Sequence, residues 1–201
     1  MLKLGIISDT HWDTLPQANA GAQGLLSGVF ADVDAIIHAG DMVHPDLDMV
    51  FAPHDFYAVR GNMDPPSSSV PLKRILHFAG VNIGLIHGWG SGGAIETNAL
   101  REFDTRDIDI LIYGHSHYPT CRWEHDLLRF NPGSAAQRRR APFRSVGLIY
   151  IAADSEVQSQ TPVSSAPAFG HQIADRIVFN PRAAQQVTAQ IINIDAEPEI
   201  V

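Results

Sequence analysis

Five short apolar runs, spread over little more than the first half of the chain, each hand over at once to a side chain that can bind a metal ion. Leu2–Ser8 delivers Asp9 and His11, Val33–Ala39 delivers Asp41, and Asp55–Arg60 delivers Asn62. Val81–His87 ends in His87 itself, and the run that starts at Ile108 leads through Tyr113-Gly114 to His115 and His117. Runs of this length bounded by glycine and proline read as buried strands. In extended or tightly turned backbone, residues two apart point the same way, so His115 and His117 can serve one metal site or two adjacent ones. In three cases a glycine precedes the ligand (Gly40, Gly61 and Gly114), where it permits a sharp turn or a close backbone approach.

Between and after these strands the pattern gives helices at Leu15–Phe30, Asp46–Ala52 and about Ala94–Phe103, the first weakened by Gly21, Gly24 and Gly28. Lys73–Phe78 pairs with Val81–His87 across Ala79-Gly80, and Thr120–Trp123 pairs with Leu127–Phe130. Further strands are expected at Ser145–Ala152 and Gln186–Ile194. The segment from Asp154 to Ala184 is rich in Ser, Gln, Pro and Ala, with one strand-like island at Arg176–Phe179. It is long for a connection inside one domain and reads as an insertion or flexible segment within a single domain spanning 1–201.

Composition narrows the chemistry. A formal net charge of −8 argues against a non-specific nucleic-acid binder, which needs a basic face. Ten histidines make metal or acid–base work worth seeking. The single cysteine, Cys121, excludes an intrachain disulfide and fits a reducing compartment. With no signal-peptide pattern at Met1–Ile7 and no long apolar run, the expectation is a cytoplasmic protein without a membrane partner.

Taken singly, an Asp-x-His or a strand-end Asp after Gly is more often a turn or cap than a ligand. Their joint occurrence in chain order, all at the same end of strands, is what points to one site. In open α/β sheets, ligands bind beyond the carboxyl ends of the strands. Seven nitrogen and oxygen ligands suit two divalent ions. Asp41, alone on its loop, is the expected bridge.

The ordered set Asp9-Thr10-His11, Gly40-Asp41, Gly61-Asn62-Met63-Asp64, His87-Gly88 and Gly114-His115-Ser116-His117 resembles the motifs of the calcineurin-like metallophosphoesterase superfamily. Asn131-Pro132-Gly133-Ser134 resembles its small prokaryotic phosphodiesterase branch, to which the retromer subunit Vps29 is related. The resemblance implies an α/β fold, a four-layer α-β-β-α sandwich of two mixed sheets, with a dinuclear metal site at the strand C-terminal edge. Asp9, His11 and His117 would hold one ion and Asn62, His87 and His115 the other, Asp41 bridging; Asp41, Asn62 and His87 are also the expected catalytic positions. Manganese is the expected metal, with iron, zinc, cobalt and nickel as alternatives, because carboxylate and imidazole suit several ions. Family members often pair, so a homodimer is a further expectation.

Two such ions can clamp a phosphoryl group and turn a bridging water into the hydroxide nucleophile. Two dications, the Asp9 and Asp41 carboxylates and one hydroxide leave roughly one positive charge, which balances a small phosphodiester better than a monoester. Phosphodiesterase activity is therefore expected, with a monoesterase or nucleotidase on the same centre, or a non-catalytic Vps29-like binding scaffold, as alternatives. Met63 stands where many superfamily members carry a histidine that assists the leaving group, so substrates with good leaving groups are favoured. Asp64 then reads as a loop cap. His44, Trp12 and Trp89, each close in sequence to a ligand, are candidate substrate contacts, and one arginine of Arg138–Arg140 is a candidate for phosphate. His38 reads as a satisfied core histidine.

Overall fold

The computed structural model describes residues 1–44, 46–66, 69–153, 176–180 and 185–195. The chain order is β1 (Leu2–Ile7), α1 (Leu15–Leu26), β2 (Ala35–His38), α2 (Leu47–Val50), β3 (Asp55–Ala58), β4 (Lys73–Phe78) and β5 (Val81–Ile86). It continues through α3 (Ala94–Arg101), β6 (Ile110–Ile112), β7 (Thr120–Glu124), β8 (Leu127–Asn131), β9 (Ser145–Ala153), β10 (Arg176–Asn180) and β11 (Gln185–Asn193). Every expected strand is present, mostly one or two residues shorter or longer than the apolar run suggests. Apart from β10, the segment expected as an insertion at 154–184 lies outside the described residues.

The strands form two mixed sheets, in the orders β10-β11-β9-β1-β2-β3 and β4-β5-β6-β8-β7. Within the first, β1, β2 and β3 are parallel neighbours; within the second, β5, β6 and β8 are. Parallel neighbours put their carboxyl ends on one edge, so the loops after β1, β2, β3, β5, β6 and β8 share that edge of the sandwich.

Alternation along each strand sorts its side chains between layers. Leu4 and Ile6 of β1, Val81, Ile83 and Leu85 of β5, and Ile110 and Ile112 of β6 fill the space between the sheets, with Leu128, Phe130, Ile149 and Ile151. Ile7 and Ile36 face the other way, under Ala18, Ala22 and Leu25 of α1, with Phe30 and Phe51. On the far side, Ile95 and Ala99 of α3 cover Ile86, Leu111 and Leu127. This is the α-β-β-α sandwich the resemblance implies.

Helix α1 forms despite its glycines because its first turn is well capped. The Thr14 hydroxyl accepts from Gln17 N, and the Gln17 side chain accepts from Thr14 N, a reciprocal capping box with Pro16 in the first turn. Gly21 also has a packing reason, since a β-carbon there would sit 2.2 Å from the Trp12 ring. The hairpin turn at Ala79-Gly80 has φ of 46° and 84°, the paired left-handed residues that a tight two-residue connection requires.

Phe130 shows how closely the two sheets fit. It is fully buried, and a β-carbon on Gly147 of the facing β9 would approach its ring to 2.4 Å. Gly147→Ala is expected to cost about 1–3 kcal/mol by overpacking, read as a lowered urea midpoint at unchanged slope; an unchanged midpoint would show that Phe130 has room to move.

Candidate metal centre

The backbone turns sharply at the ends of β1, β2 and β6. Asp9, His11, Asp41, His115 and His117 all have positive φ, between 44° and 66°. Non-glycine residues enter this region at a cost of order 1–3 kcal/mol each, and they persist only where the surroundings over-determine them. Here backbone hydrogen bonds between loops do so. Asp9 N donates to Gly40 O (3.0 Å), His11 N to Asp41 O (3.1 Å) and Gly114 N to His87 O (3.1 Å).

Two of the glycines are needed for close approach. A β-carbon on Gly61 would lie 2.2 Å from Asp41 Oδ1, and one on Gly114 would lie 2.0 Å from Ser8 Oγ. Each would push a ligand-bearing loop off its neighbour.

The structure brings all seven expected ligands together. His117 Nε2 lies 3.2 Å from Asp9 Oδ1 and 3.2 Å from His11 Nε2. The two oxygens of Asp41 face different imidazoles, Oδ2 at 3.7 Å from His11 Nε2 and Oδ1 at 3.3 Å from His87 Nε2. Asn62 Oδ1 sits between His87 Nε2 (3.2 Å) and His115 Nδ1 (2.9 Å). Asp9, His11 and His117 form one compact group able to hold an ion, and Asp9, Asp41 and His87 form a second that overlaps it.

Proton placement shows what these groups are suited to bind. His87 Nδ1–H donates to Ala39 O (2.7 Å), His117 Nδ1–H to Gln137 O, and His115 Nε2–H to Gly90 O (3.1 Å). In the neutral rings the opposite nitrogens are then acceptors. They face further acceptors: Asn62 Oδ1, Asp41 and Asp9. Asp9 Oδ1 is buried and accepts no well-formed hydrogen bond, although His117 Nε2 is near. Buried acceptors converging on one another are a poor arrangement for protein alone and a good one for cations.

The carboxylates are held ionised. Burial would raise Asp41, but the His87 imidazole and the Met63 N–H (2.8 Å to Oδ1) outweigh it and bring its pKa down to about 2. Asp9 is nearly fully buried, which again acts upward; the His117 and His87 rings and the Ser8 hydroxyl (2.7 Å) more than offset it, and its pKa is lowered. Burial acts against a proton on His87, yet the facing Asp41 and Asp9 charges hold its pKa above the usual range, so a bound cation would take the place of an Nε2 proton that otherwise faces Asp41.

Several supports were not marked as functional by residue type. Asp64 accepts from Asp41 N (3.1 Å), Gly61 N (2.6 Å) and Val43 N (2.7 Å), so one carboxylate ties two ligand loops together. This is the loop cap anticipated for it. Ser134 Oγ donates to Asp9 O (2.7 Å), and Asn131 Nδ2 donates to Gly114 O (3.0 Å); the Asn-Pro-Gly-Ser stretch thus braces the site from behind. Glu96 on α3 receives Tyr113 Oη–H (2.8 Å) and Arg129 Nη1–H (2.7 Å), fixing the start of the histidine turn. His38 is fully buried, accepting from Gly40 N and meeting Thr10 Oγ1 at 3.1 Å; burial pulls its pKa down to about 4, so it is neutral.

The three substrate-contact candidates fare differently. Trp89 is half exposed and lines a cleft of about 470 Å³ with Asn62, His87, Lys73 and Leu72. His44 accepts from Asp46 N (3.3 Å) and lines a separate cleft with Asp48 and Arg74. The Trp12 ring packs against Phe51 and over Gly21 in the α1 layer, and lines a third cleft with Ala135, Ala136 and Arg144.

Comparison with known proteins agrees with this geometry. Residues 2–154 match the calcineurin-like phosphoesterase superfamily domain. The chain belongs to that family. It is 35% identical over 151 residues to a probable metallophosphoesterase of Methanocaldococcus jannaschii, covering 71% of this chain and 72% of the relative. The solved structures that share its fold include two of note. One is an archaeal phosphodiesterase (TM-score 0.57, 23% identity, 77% of this chain and 94% of the other). The other is Vps29 of Chaetomium thermophilum (TM-score 0.60, 18% identity, 96% and 97%). No helix among the described residues is long and apolar enough to cross a membrane.

If Asp64 sets the spacing of the Asp41 and Gly61 loops, Asp64→Asn should weaken manganese binding about 10–100-fold by calorimetry with the far-UV spectrum unchanged. The amide puts a donor where an N–H already points. Undiminished affinity would mean that the loops hold their places without it.

Proposed function

We propose that this metallophosphoesterase is a phosphodiesterase acting on a small diester, with two divalent ions held by the seven side chains. The observation that carries the proposal is the pair of acceptor groups that share Asp9, with Asp41 turning one oxygen toward His11 and the other toward His87. Asp9, His11 and His117 would hold one ion and Asn62, His87 and His115 the other, Asp41 between them. Bound divalent ions supply Lewis-acid stabilisation of phosphoryl oxygens and make a water acidic enough to ionise near neutral pH. Manganese is the first choice, and the donor set admits iron, zinc, cobalt and nickel.

The chain's own residues do the rest. The Ala39 and Gln137 carbonyls fix which nitrogen of His87 and His117 faces the centre. Counted with one hydroxide, the two ionised carboxylates would leave a bound pair of dications with roughly one positive charge, suited to a singly charged diester. Trp89 and Leu72 present apolar surface beside Asn62 and His87, where a leaving group can lie. Met63 offers that group no proton; its side chain is exposed and its N–H is committed to Asp41. Poorly basic leaving groups therefore suit the site. The proposed setting is cytoplasmic, as a homodimer.

The fold it shares with Vps29 favours a second reading, a binding scaffold without turnover. Hydrolysis separates the two. With manganese, bis-p-nitrophenyl phosphate should be cleaved faster than p-nitrophenyl phosphate, and aryl diesters faster than alkyl ones. Asp41→Asn should reduce the rate to background. A preference for the monoester, or no metal-dependent turnover of either, would overturn the proposal.

A further inference from the structure

We propose that the cleft on the Asn62–His87 side takes one ester group of the substrate, and that Arg60 binds a second negative charge carried by that group. The substrate class is then a phosphodiester with one planar ester group that itself bears a carboxylate or a phosphate. This rests on the reading that a phosphoester occupies the centre. Arg60, Asn62, Leu72, His87 and Trp89 all line this one cleft of about 470 Å³, a volume in the range of small-molecule pockets. A group attached to phosphorus at the centre can therefore pass the two ligands, lie on Trp89 and reach Arg60. The Trp89 ring is half exposed, and its loop is fixed on both sides. Its own carbonyl accepts from Asn98 Nδ2 (3.1 Å), and the Gly90 carbonyl accepts from His115 Nε2 (3.1 Å).

Besides His87, four ionisable side chains line the cleft, and three of them already have charge-matched or fully used partners. Lys73 Nζ donates to Glu102 Oε2 (2.8 Å) and to Glu102 O (2.9 Å), so these two charges answer each other. Asp64 is buried and accepts from three backbone N–H groups. Arg60 differs. Its Nη1 donates to Pro66 O (2.6 Å), a neutral acceptor, and among the described residues it forms no ion pair. The chain has 22 acidic side chains against 14 basic ones, so an arginine left without a carboxylate beside a cation-binding centre calls for an anion from elsewhere. One N–H of the guanidinium suffices for Pro66; the rest of the fork matches two oxygens of a carboxylate or phosphate. Trp89 and Leu72 supply the flat apolar wall on which a ring between the two charges can lie.

Three phosphonates, whose carbon–phosphorus bond is not hydrolysed, test this without turnover. Benzylphosphonate carries no second charge, 4-carboxybenzylphosphonate adds a carboxylate, and p-xylylenediphosphonate adds a phosphate-like group. Each is titrated by calorimetry into the manganese-loaded protein. Wild type is expected to bind at least one of the two longer probes about ten- to a hundredfold more tightly than benzylphosphonate. The larger gain identifies the second group as carboxylate or phosphate. In Arg60→Gln that preference should fall to near unity; Arg60→Lys should keep part of it, and Trp89→Ala should weaken all three probes alike. Arg74→Gln controls for general charge, since Arg74 lines the separate cleft with His44, and should keep the wild-type preference. Equal binding of the three probes by wild type would overturn the inference, as would a preference that survives in Arg60→Gln. So would an equal loss for every probe in Arg60→Gln, the mark of a residue that only braces Pro66. An Arg60-dependent preference in a protein that cleaves no diester would fail the proposed function alone.

Discussion

Two ionised carboxylates, Asp9 and Asp41, are buried side by side among four imidazoles, and most of the structure near them answers to that fact. Buried like charges are unfavourable unless opposite charge and hydrogen bonds accompany them. Here the compensation is built from backbone. Ser8 Oγ, His115 N and Met63 N donate to the carboxylates, while the Ala39, Gln137 and Gly90 carbonyls accept hydrogen bonds from the ring N–H groups of His87, His117 and His115. What remains is a concentration of lone pairs that a divalent cation satisfies and water would satisfy only in part.

Holding such a set requires rigidity, and the sandwich supplies it. Parallel strands in both sheets bring their carboxyl ends to one edge, and the close-packed layer of Leu4, Ile6, Ile83, Ile112 and Phe130 keeps the two sheets in register. The five left-handed ligand residues store local strain there. Asp64, Asn131 and Ser134 spread the cost across several loops, so that none can relax without breaking bonds to another. Strain of this kind belongs at a functional site, where geometry counts for more than local stability.

Much of this was legible in the chain. The strands announce themselves as apolar runs, and the ligands follow because parallel strands end together. Gly61 and Gly114 could be read as close-approach positions before any contact was visible. The less legible parts depend on contacts between residues distant in sequence. Trp12 sits one residue from a ligand, yet the absence of a side chain at Gly21 turns its ring into the α1 layer. Glu96 looks like an ordinary helix-surface acid until Tyr113 and Arg129 arrive from other strands. Arg138, Arg139 and Arg140 are indistinguishable as sequence; the left-handed turn at Arg139 and the position of Asp195 separate them.

The central claim is that Asp41 stands between two cation sites that share one pocket. Anomalous scattering from a crystal soaked in manganese tests it most directly. The account predicts two peaks about 3.5–4 Å apart, one on each side of the Asp41 carboxylate, with Asp9 Oδ1 in contact with the peak nearer His117. A single peak away from Asp41, or none in a fully soaked crystal, would contradict it.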